Sequence, residues 1–339
     1  MVESKRELAF DEMFYKGQYQ GLFLNDNNLV VAEALLPDKE AIPAKLNAMK
    51  SLDSLPLEIT SQVALQLDVP SLLHFRLATR RTMRAVDSIP SFQLIRDTPN
   101  VLSAVMLLQP THYSVAALAS CLRTQTCHRP GCGQLGDYLH LLSCRRVCFP
   151  CLILYPGYEP MTAKGARDQC RRSETLDLDQ FPHVTCPAGT YGIPPRYGEA
   201  NLDRPEPVVL YDRPSVMAFS KRKAVWDPLE GRLWCIPDWN PEPEIYMVTV
   251  RVPCRDETTG ALEEGIFCLA CRELHIMMKG SHRRFTREGM RRHIEYCGPV
   301  FLTTKDYYWH RVPAGREREI EEYLRGRFPI NSKWYLKYR

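Results

Sequence analysis

Residues 55–80 read LPLEITSQVALQLDVPSLLHFRLATR and hold two short apolar segments joined by a DVP break. In the first segment Ile59 and Val63 are four residues apart, which is typical of one apolar stripe along a helix. Asp68 and Pro70 are residues that favour a helix end and a helix start. The pattern therefore predicts two consecutive helices that meet at the break.

The second segment, SLLHFRLAT, is apolar around nearly its whole circumference and is interrupted mainly by His74 and Arg76. A helix of this kind must be buried on most sides, and two or three short helices cannot close a core around it. We therefore expect the excess apolar surface to lie mainly on this second helix, 71–79. Its cover comes either from the rest of the chain or from an outside partner, and periodicity alone favours the chain itself.

The composition is that of an ordinary globular chain, with 339 residues, 45% of them hydrophobic, and a net charge of +4 that neither requires nor excludes nucleic acid. The opening segment, MVESKRELAFDEMFYKG, is too charged for a secretory signal. Apolar runs such as 105–108 are far shorter than the roughly 20 residues that span a bilayer. We expect an intracellular protein, cytoplasmic or nuclear and without membrane contact, whose 13 cysteines are better suited to metal binding than to disulfides.

The first cysteine-rich segment reads CHRPGCGQLGDYLHLLSCRRVCFPC. Cys127-x4-Cys132 and Cys148-x2-Cys151 form two pairs with fifteen residues between them. Pairs of thiolates at this spacing suit tetrahedral zinc, because each tight turn presents two sulfurs to one point. The spacing therefore predicts a zinc site made of these four cysteines.

Cys144 offers an alternative assignment for this site. Cys144-x3-Cys148 could supply two ligands and leave Cys151 unused, although the two-residue spacing of Cys148 and Cys151 is more usual. The choice stays open at this point. Cys121 and His140 are interpreted as packing or surface residues.

A second set of candidate ligands lies in the last third of the chain. Cys268-x2-Cys271 is followed, after twenty-one residues, by His293-x3-Cys297. If a helix begins after Thr286, His293 and Cys297 project from one face of it. This layout is similar to a two-Cys, two-His zinc finger with a longer gap and a cysteine as its last ligand.

Both sites are predicted to be closed structural sites that hold two zinc ions in all. No thiol stands apart from its paired neighbours with a base beside it, as a catalytic cysteine would require. We therefore expect a protein that is not an enzyme. A RING-like ligase is also disfavoured, because that fold interleaves its eight ligands, whereas these two sets lie more than a hundred residues apart.

A basic segment offers a second hypothesis for the function. Residues 279–292, KGSHRRFTREGMRR, hold six Lys or Arg and one Glu beside the second zinc site. Such a segment could bind the phosphates of a nucleic acid. The simpler interpretation is a solvated helix face, and nucleic-acid binding is the less favoured alternative.

The run LDSLPLEITSQVALQLDVPSLLHFRLATRRTMRAVDSIPSF closely resembles the F-box. The shared features are Leu55-Pro56, the Glu-Ile that follows, a Leu-Asp-x-Pro break, and Leu-Leu before an Arg-rich third helix. The next part, CG-x-x-G-x-Y-L-x-L-L-x-C-x-R-V-C-F-x-C, is similar to the cysteine-rich region of many fungal-type F-box proteins. The resemblance covers about 51–151 well and 265–310 weakly.

The resemblance implies a substrate-recognition subunit of an SCF (cullin–RING) ubiquitin ligase. In that class the F-box helices dock on a Skp-type adaptor bound to the cullin scaffold, and the rest of the chain holds a protein substrate. The adaptor-binding face would be formed or supported by Leu55, Pro56, Ile59, Val63, Leu67, Leu72, Leu73 and Leu77.

The expected fold class is α+β, with a three-helix F-box followed by a loop-rich, zinc-stabilised region of short β-hairpins and a few helices. The predicted organisation is a flexible segment at 1–50, an F-box at 51–97, a helical linker with the first zinc site at 98–151, a Pro-rich loop region at 152–244, a second zinc site of hairpin plus helix at 245–312, and a basic tail at 313–339.

Overall fold

The computed structural model of the protein describes residues 6–15, 23–24, 55–170, 177–192, 202–220, 244–255, 260–272, 283–303 and 307–325. Within these ranges helices and short strands are mixed, in agreement with the expected α+β class. None of the helices in these ranges combines the length and apolar character that crossing a bilayer would need.

Most of the longer helices lie between residues 57 and 123. The α-helices are α1 (Leu57–Gln66), α2 (Val69–Ala78), α3 (Arg80–Ser88), α4 (Pro90–Arg96), α5 (Pro99–Leu108), α6 (Val115–Arg123), α7 (Phe149–Leu154), α8 (Ala163–Gln169), α9 (Arg213–Phe219), α10 (Glu244–Met247), α11 (Leu269–Arg272), α12 (Arg287–Cys297) and α13 (Glu317–Arg325). Short 3-10 helices occupy Phe10–Glu12, Pro156–Tyr158 and Leu178–Gln180.

The strands are short and pair antiparallel throughout. They are β1 (Arg6–Glu7), β2 (Phe14–Tyr15), β3 (Tyr138–His140), β4 (Arg145–Val147), β5 (Met161–Thr162), β6 (His183–Cys186), β7 (Gly189–Tyr191), β8 (Leu202–Arg204), β9 (Val208–Tyr211), β10 (Thr249–Arg251), β11 (Cys254–Arg255), β12 (Leu262–Glu263), β13 (Ile266–Cys268), β14 (Arg284–Phe285), β15 (Val300–Leu302) and β16 (Tyr308–His310). The sheet orders are β1-β15-β16, β10-β3-β4, β11-β12, β14-β13-β2, β5-β9-β6 and β7-β8.

The break between α1 and α2 is confirmed where the DVP sequence predicts it. The carboxylate of Asp68 accepts a hydrogen bond from the backbone N–H of Ser71 at 2.8 Å and caps α2, and Pro70 lies in the first turn. Proline tolerates that position because a first-turn N–H has no partner within the helix. Thr79 caps α3 in the same way, accepting from the N–H of Thr82 at 3.0 Å.

A partly buried ion pair joins α2 to α3. Arg76 is 8% exposed, and its Nε and Nη2 donate to the two carboxylate oxygens of Asp87 at 2.7 and 3.2 Å. The planar guanidinium matches the carboxylate in this two-point geometry. The pairing explains how the arginine that interrupts the apolar second segment lies inside the helix cluster.

The main core contains α1 to α6 together with the sheet β10-β3-β4. Its buried members include Phe92, Val105, Leu118, Leu139 and Val250. Three cysteines of the first candidate zinc site are buried in this same core. The helices of 51–97 and the cysteine-rich part of 98–151 therefore pack as one unit.

Residues 6–15 form part of a second core and do not make the flexible segment that was expected over 1–50. The N–H of Leu8 donates to the carbonyl of Val300 at 3.0 Å, and the N–H of Leu269 donates to the carbonyl of Met13 at 3.0 Å. Leu8 and Met13 are buried there, and Phe23 is buried in the main core. Residues 1–5, 16–22 and 25–50 lie outside the described residues.

The Pro-rich region at 152–244 contains a third core, although loops were expected there. Strands β5, β9 and β6 form a sheet on which Ala166 of α8 and Val216 of α9 are buried. Asp212 caps α9 by accepting from the N–H of Ser215 at 3.0 Å. Residues 171–176, 193–201 and 221–243 lie outside the described residues.

The single hairpin predicted over 245–271 divides between three sheets. Strand β10 pairs with β3, so the residues around Val250 belong to the main core. Strand β13 pairs with β14 and β2 in the second core, and only β11 and β12 pair with each other. An alternating pattern indicates a strand, but it does not name the partner strand.

Helix α13, the last helix of the described residues, packs on the second core. Ile320 is buried, the carbonyl of Tyr323 accepts from Nη2 of Arg283 at 3.1 Å, and the hydroxyl of Tyr296 donates to Glu319 at 2.6 Å. The basic tail predicted at 313–339 thus contains an anchored helix over 317–325. Residues 326–339 lie outside the described residues.

Candidate metal centres and an exposed helical face

The four cysteines predicted as the first zinc site lie together. One ligand atom from each of Cys127, Cys132, Cys148 and Cys151 is within 4.8 Å of the other three, so the group could hold a metal ion. The sulfur of Cys132 lies 3.7 Å from that of Cys148 and 3.5 Å from that of Cys151. Three of the four are buried, and Cys132 is half-buried. We call this group cluster 1.

Two turns bring the sulfurs of cluster 1 together. Cys127 and Cys132 flank a tight turn in which the N–H of Cys127 donates to the carbonyl of Gln134 at 2.7 Å. Gly131 and Gly133 have φ angles of 71° and 62°, which glycine adopts without strain. Cys148 and Cys151 lie at the start of α7, directly after β4.

Arg146 fixes the approach of these two turns. It is buried, its Nε donates to the carbonyl of Gly136 at 2.6 Å, and its backbone carbonyl accepts from the N–H of His128 at 2.8 Å. A second donation, from Nη1 to the carbonyl of Leu122 at 3.3 Å, reaches the end of α6. Arg146, which lies in β4, therefore links the turn that holds Cys127 and Cys132 to α6.

Mutual contacts among the thiols of cluster 1 lower the pKa of Cys132 and of Cys127 and raise that of the other two. Hydrogen bonds with Cys127, Cys148 and Cys151 hold the pKa of Cys132 well below its ordinary value. The same contacts raise the pKa of Cys148, because its neighbours favour its protonated form. A metal ion would replace the remaining protons, since thiolates are the ligand form of cysteine.

Cys144 does not belong to cluster 1. Cys144 and Cys121 are partly buried against the main core, and neither sulfur is within the group of four. His140 is buried, its Nδ1 lies 2.8 Å from the hydroxyl of Ser143, and burial lowers the pKa of its ring to about 3. The packing interpretation therefore fits both His140 and Cys121, which is half-buried against the main core.

The second group of ligands differs from the predicted one at one position. It consists of Cys268, Cys271, His293 and His310, and its ligand atoms also lie within 4.8 Å of one another. Nε2 of His310 lies 3.4 Å from the sulfur of Cys268 and 3.6 Å from that of Cys271. Nε2 of His293 lies 3.4 Å from the sulfur of Cys271. We call this group, which could hold a metal ion, cluster 2.

Cys297, the predicted fourth ligand, is buried beside cluster 2 but is not a member of it. Its sulfur lies 3.6 Å from Nδ1 of His293, which is the opposite side of the ring from the Nε2 that faces Cys271. Helical spacing correctly places Cys297 next to His293. The spacing does not show which ring nitrogen of His293 the sulfur of Cys297 contacts. His310 is the fourth ligand of cluster 2.

Four elements carry the ligands of cluster 2. Cys268 ends β13, and Cys271 lies in α11. His293 lies in α12, which Thr286 caps by accepting from the N–H of Gly289 at 3.0 Å, as predicted. His310 ends β16.

The tautomer of His310 suits metal binding through Nε2. Its Nδ1 lies 2.8 Å from the carbonyl of Gly298, which can only accept a hydrogen bond, so the proton is on Nδ1 and Nε2 keeps its lone pair. Burial opposes charge on Cys268, yet hydrogen bonds with Cys271, His293 and His310 outweigh it and hold the pKa of Cys268 well below its ordinary value. The cluster thus offers a thiolate and a lone pair at one point.

The excess apolar surface lies on α1, whereas the sequence pattern placed it on the second helix. Leu57, Ile59 and Val63 are 50%, 42% and 44% exposed, while the smaller Thr60 and Ala64 are buried on the inner side of the helix. We call the exposed residues the α1 stripe; Ile59 and Val63 share one face of the helix, and Leu57 lies in its first turn. In α2, by contrast, the core covers Leu72 and Leu73.

The residues predicted for adaptor binding divide into two layers. Pro56, Ile59 and Val63 are exposed, and Leu55, Leu67 and Leu77 are half-buried. Leu72 and Leu73 are buried and support the surface from within. The exposed residues therefore lie on α1 and at its start, and the half-buried ones lie at the two ends of α1 and, for Leu77, in α2.

Three arginines of the basic segment contact other parts of the protein, and two pair with the glutamate of the segment itself. Arg283 and Arg284 contact Tyr323 and Asp137, and Arg287 pairs with Asp11. Arg291 and Arg292 both pair with Glu288, at 3.4 and 3.3 Å. These contacts reduce the charge that the segment could offer to nucleic-acid phosphates. Residues 279–282 lie outside the described residues.

Comparison of the chain with protein-family models, curated proteins and solved structures finds no match. No family is therefore shown for the chain. The two clusters and the α1 stripe are the features from which its function is inferred.

Proposed function

We propose that the chain is an F-box adaptor, the substrate-recognition subunit of an SCF ubiquitin ligase, and that two structural zinc ions stabilise its fold. The observation that carries the proposal is the α1 stripe. It lies in the segment that resembles the F-box, where the resemblance implies contact with a Skp-type adaptor. A subunit of this kind works in the cytoplasm or nucleus, where cysteines stay reduced and available to metals.

The orientation of α1 favours a protein partner. A helix packed on one side only normally turns its apolar residues inward and its polar residues outward. Here Ile59 and Val63 face outward, while Thr60 and Ala64 face the core. Full burial of a Val or Ile side chain is worth about 1.5–3 kcal/mol. Because just over two fifths of each residue is still exposed, docking would add roughly 1 kcal/mol for each of them.

The surroundings of the stripe indicate the chemistry of the partner. Arg80, Arg81 and Arg84 of α3 are exposed, and Nη2 of Arg81 donates to the carbonyl of Leu55 at 2.7 Å, beside the start of α1. The apolar stripe with Arg81 beside its start fits a partner whose apolar groove has an acidic rim. Such a rim accelerates association and makes it depend on salt.

The atomic spacings in both clusters support zinc. With zinc–sulfur bonds of about 2.3 Å, two sulfurs of a tetrahedral site are about 3.8 Å apart, and a sulfur and a histidine nitrogen are about 3.6 Å apart. The sulfur pairs of cluster 1 are 3.7 and 3.5 Å apart. The sulfur–nitrogen pairs of cluster 2 are 3.4, 3.4 and 3.6 Å apart.

The ligand sets support structural zinc in a protein that is not an enzyme. Each cluster supplies four protein ligands, and seven of the eight are buried. A catalytic zinc site instead keeps one position open for water or substrate. In this proposal the zinc ions hold together segments whose strands are only two or three residues long, and the rest of the chain binds the protein substrate.

A reconstituted complex tests the adaptor proposal. Purified Skp-type adaptor and cullin are mixed with the tagged chain, either as the wild type, as Ile59→Asp, or as Gln62→Asp, which places the same charge at an exposed site outside the stripe. We expect the wild type and Gln62→Asp to retain both partners, and Ile59→Asp to lose both. Failure of the wild type to retain them would reject the proposal, as would equal retention by Ile59→Asp.

Metal analysis tests the zinc proposal independently. The purified wild type should contain close to two zinc ions per chain, one for each cluster. Protein purified gently and found without zinc would contradict both assignments.

A further inference from the structure

A short segment, residues 6–15, lies against the parts of the protein that carry cluster 2, and we call it the strap. Its strand β1 pairs with β15, which also pairs with β16, the strand that ends at His310. The N–H of Leu8 donates to the carbonyl of Val300 at 3.0 Å, and Val300 lies opposite His310 in the sheet. One side of the strap is therefore held by the sheet that presents His310.

The other side of the strap is held beside the two ligand cysteines. Strand β2 pairs with β13 in a register that places Phe14 opposite Cys268. The carbonyl of Met13 accepts a hydrogen bond from the N–H of Leu269 at 3.0 Å. Because Leu269 directly follows Cys268 and precedes Cys271 in the sequence, the strap fixes the backbone that presents both sulfurs.

The strap also packs on α12, the helix that carries His293. The guanidinium carbons of Arg287 and Arg291 lie 5.8 and 5.2 Å from the centre of the Phe10 ring, close enough for the ring to attract the cations. Arg287 also pairs with Asp11. The strap thus joins the helix of His293 to the two sheets that position the other three ligands.

The second core, in which cluster 2 lies, is small. Among the described residues, its buried side chains include Leu8 and Met13 of the strap and the ligands Cys268 and Cys271. The strands of its two sheets are only two or three residues long. A core of this size leaves a fold marginal unless a metal or another link adds stability. Zinc and the strap therefore stabilise the same small core.

We propose that zinc binding at cluster 2 and docking of the strap are coupled, so that the strap is docked while cluster 2 holds zinc and is released when the metal is lost. The inference rests on the proposed zinc site at cluster 2 and is independent of the adaptor proposal. Such coupling is reciprocal. The docked strap therefore raises the affinity of cluster 2 for zinc by the same factor by which zinc stabilises the docked strap.

An anchor in the main core keeps a released strap near its site. Phe23, eight residues after the strap, is buried in the main core, where its ring lies 4.8 Å from that of Tyr138 and 5.1 Å from that of Tyr246. These contacts involve no residue of the second core. A segment tethered in this way returns to its site at a high effective concentration. We therefore expect the strap to dock again when zinc is returned.

Hydrogen exchange of the full chain tests the coupling. Peptides that cover the strap and, as an internal reference, α2 are compared in zinc-loaded protein, in protein whose cluster 2 has been emptied by a chelator, and after zinc is returned. We expect removal of zinc to speed amide exchange in the strap at least about tenfold, to leave α2 unchanged, and to be reversed by zinc. Zinc uptake at cluster 2 without a change in the strap would overturn this inference and leave the zinc proposal standing. Absence of zinc uptake would overturn both.

Variants of the strap test the coupling in the other direction. Leu8→Ala removes a buried side chain, whereas Phe10→Ala removes a half-buried ring and leaves the buried side chains of the second core in place. Each should release zinc from cluster 2 at a chelator concentration about tenfold lower than the wild type requires, as loss of a supporting partner does. Glu7→Ala, which changes an exposed residue of the same strap, should retain zinc as the wild type does. Wild-type retention by both Leu8→Ala and Phe10→Ala would overturn the inference.

Discussion

Replacement of His310 tests cluster 2 most sharply, because the sequence pattern and the structure name different fourth ligands. His310→Ala removes the nitrogen that lies 3.4 Å from the sulfur of Cys268 and 3.6 Å from that of Cys271. Cys297→Ala removes a sulfur that lies beside Nδ1 of His293, away from the point where the ligand atoms meet. The two variants should therefore lose metal affinity to very different extents.

The expected magnitude follows from the number of ligands. Structural zinc contributes about 10–16 kcal/mol of apparent binding free energy in small zinc domains. An equal share for each of four ligands is about 2.5–4 kcal/mol, which corresponds to a loss of affinity of about 60- to 700-fold. Cys297 supports His293 from outside the ligand set, and loss of such a partner costs about tenfold.

Competition with a chelator measures this difference. Each protein is loaded with two equivalents of zinc and titrated with a chelator. The chelator is chosen so that it removes zinc from cluster 2 of the wild type only at high concentration. Release of zinc from cluster 1 is the internal reference. His74→Ala, which removes an exposed histidine far from either cluster in sequence, is the control. If Cys297→Ala releases the second zinc while His310→Ala retains it, the assignment of the fourth ligand is wrong.

Two further predictions concern stability. Gly298 has a φ of 93°, and a Cβ there would collide with the carbonyl of Arg311, so Gly298→Ala should lower the free energy of unfolding by about 3–5 kcal/mol. Gly315 has a φ of 84°, but nothing lies near the position of an added Cβ, so Gly315→Ala should lower the free energy of unfolding by about 1 kcal/mol. Equal losses for the two variants in urea unfolding would contradict this prediction. Burial raises the pKa of Asp137 to about 6 despite its ion pair with Arg284 at 3.3 Å. Because the pKa of Asp137 is raised in the folded state, its charged carboxylate destabilises the fold. The free energy of unfolding of the wild type, relative to that of Asp137→Asn, should therefore fall by about 1 kcal/mol between pH 5 and pH 7. A difference between the two proteins that does not change with pH would refute this prediction.

Cluster 1 could be predicted in full because its geometry is local. Each cysteine pair lies within one turn, so a short spacing is enough to bring two sulfurs together. The same logic found Cys268, Cys271 and His293. It also placed Thr286 correctly as a helix cap.

His310 could not be found in this way. It lies on a strand, thirteen residues after Cys297, and it reaches cluster 2 because β16 pairs with β15 in a register that places His310 opposite Val300. Such a register depends on tertiary packing and leaves no fixed spacing in the sequence. The single available signal was a histidine at the end of an aromatic strand, YYWH.

The exposed surface of α1 could be predicted only in part, because it also depends on tertiary packing. Periodicity correctly indicated a stripe through Ile59 and Val63, but it cannot show whether neighbouring elements cover that stripe or the opposite side. In the fold the side of the helix that carries Thr60 and Ala64 is the buried one. The two-residue strands of the N-terminal segment were missed because a period cannot be read from two residues.

The dissociation constant of the complex with the Skp-type adaptor tests the central claim most directly. Val63→Asp would lose roughly 1 kcal/mol of apolar burial and would require at least about 2 kcal/mol to desolvate the carboxylate. Calorimetry should therefore show binding by the wild type and by Gln62→Asp with equal affinity, and binding by Val63→Asp at least about 100-fold weaker. No binding by the wild type, or equal binding by Val63→Asp, would show that the α1 stripe is not an adaptor-binding surface.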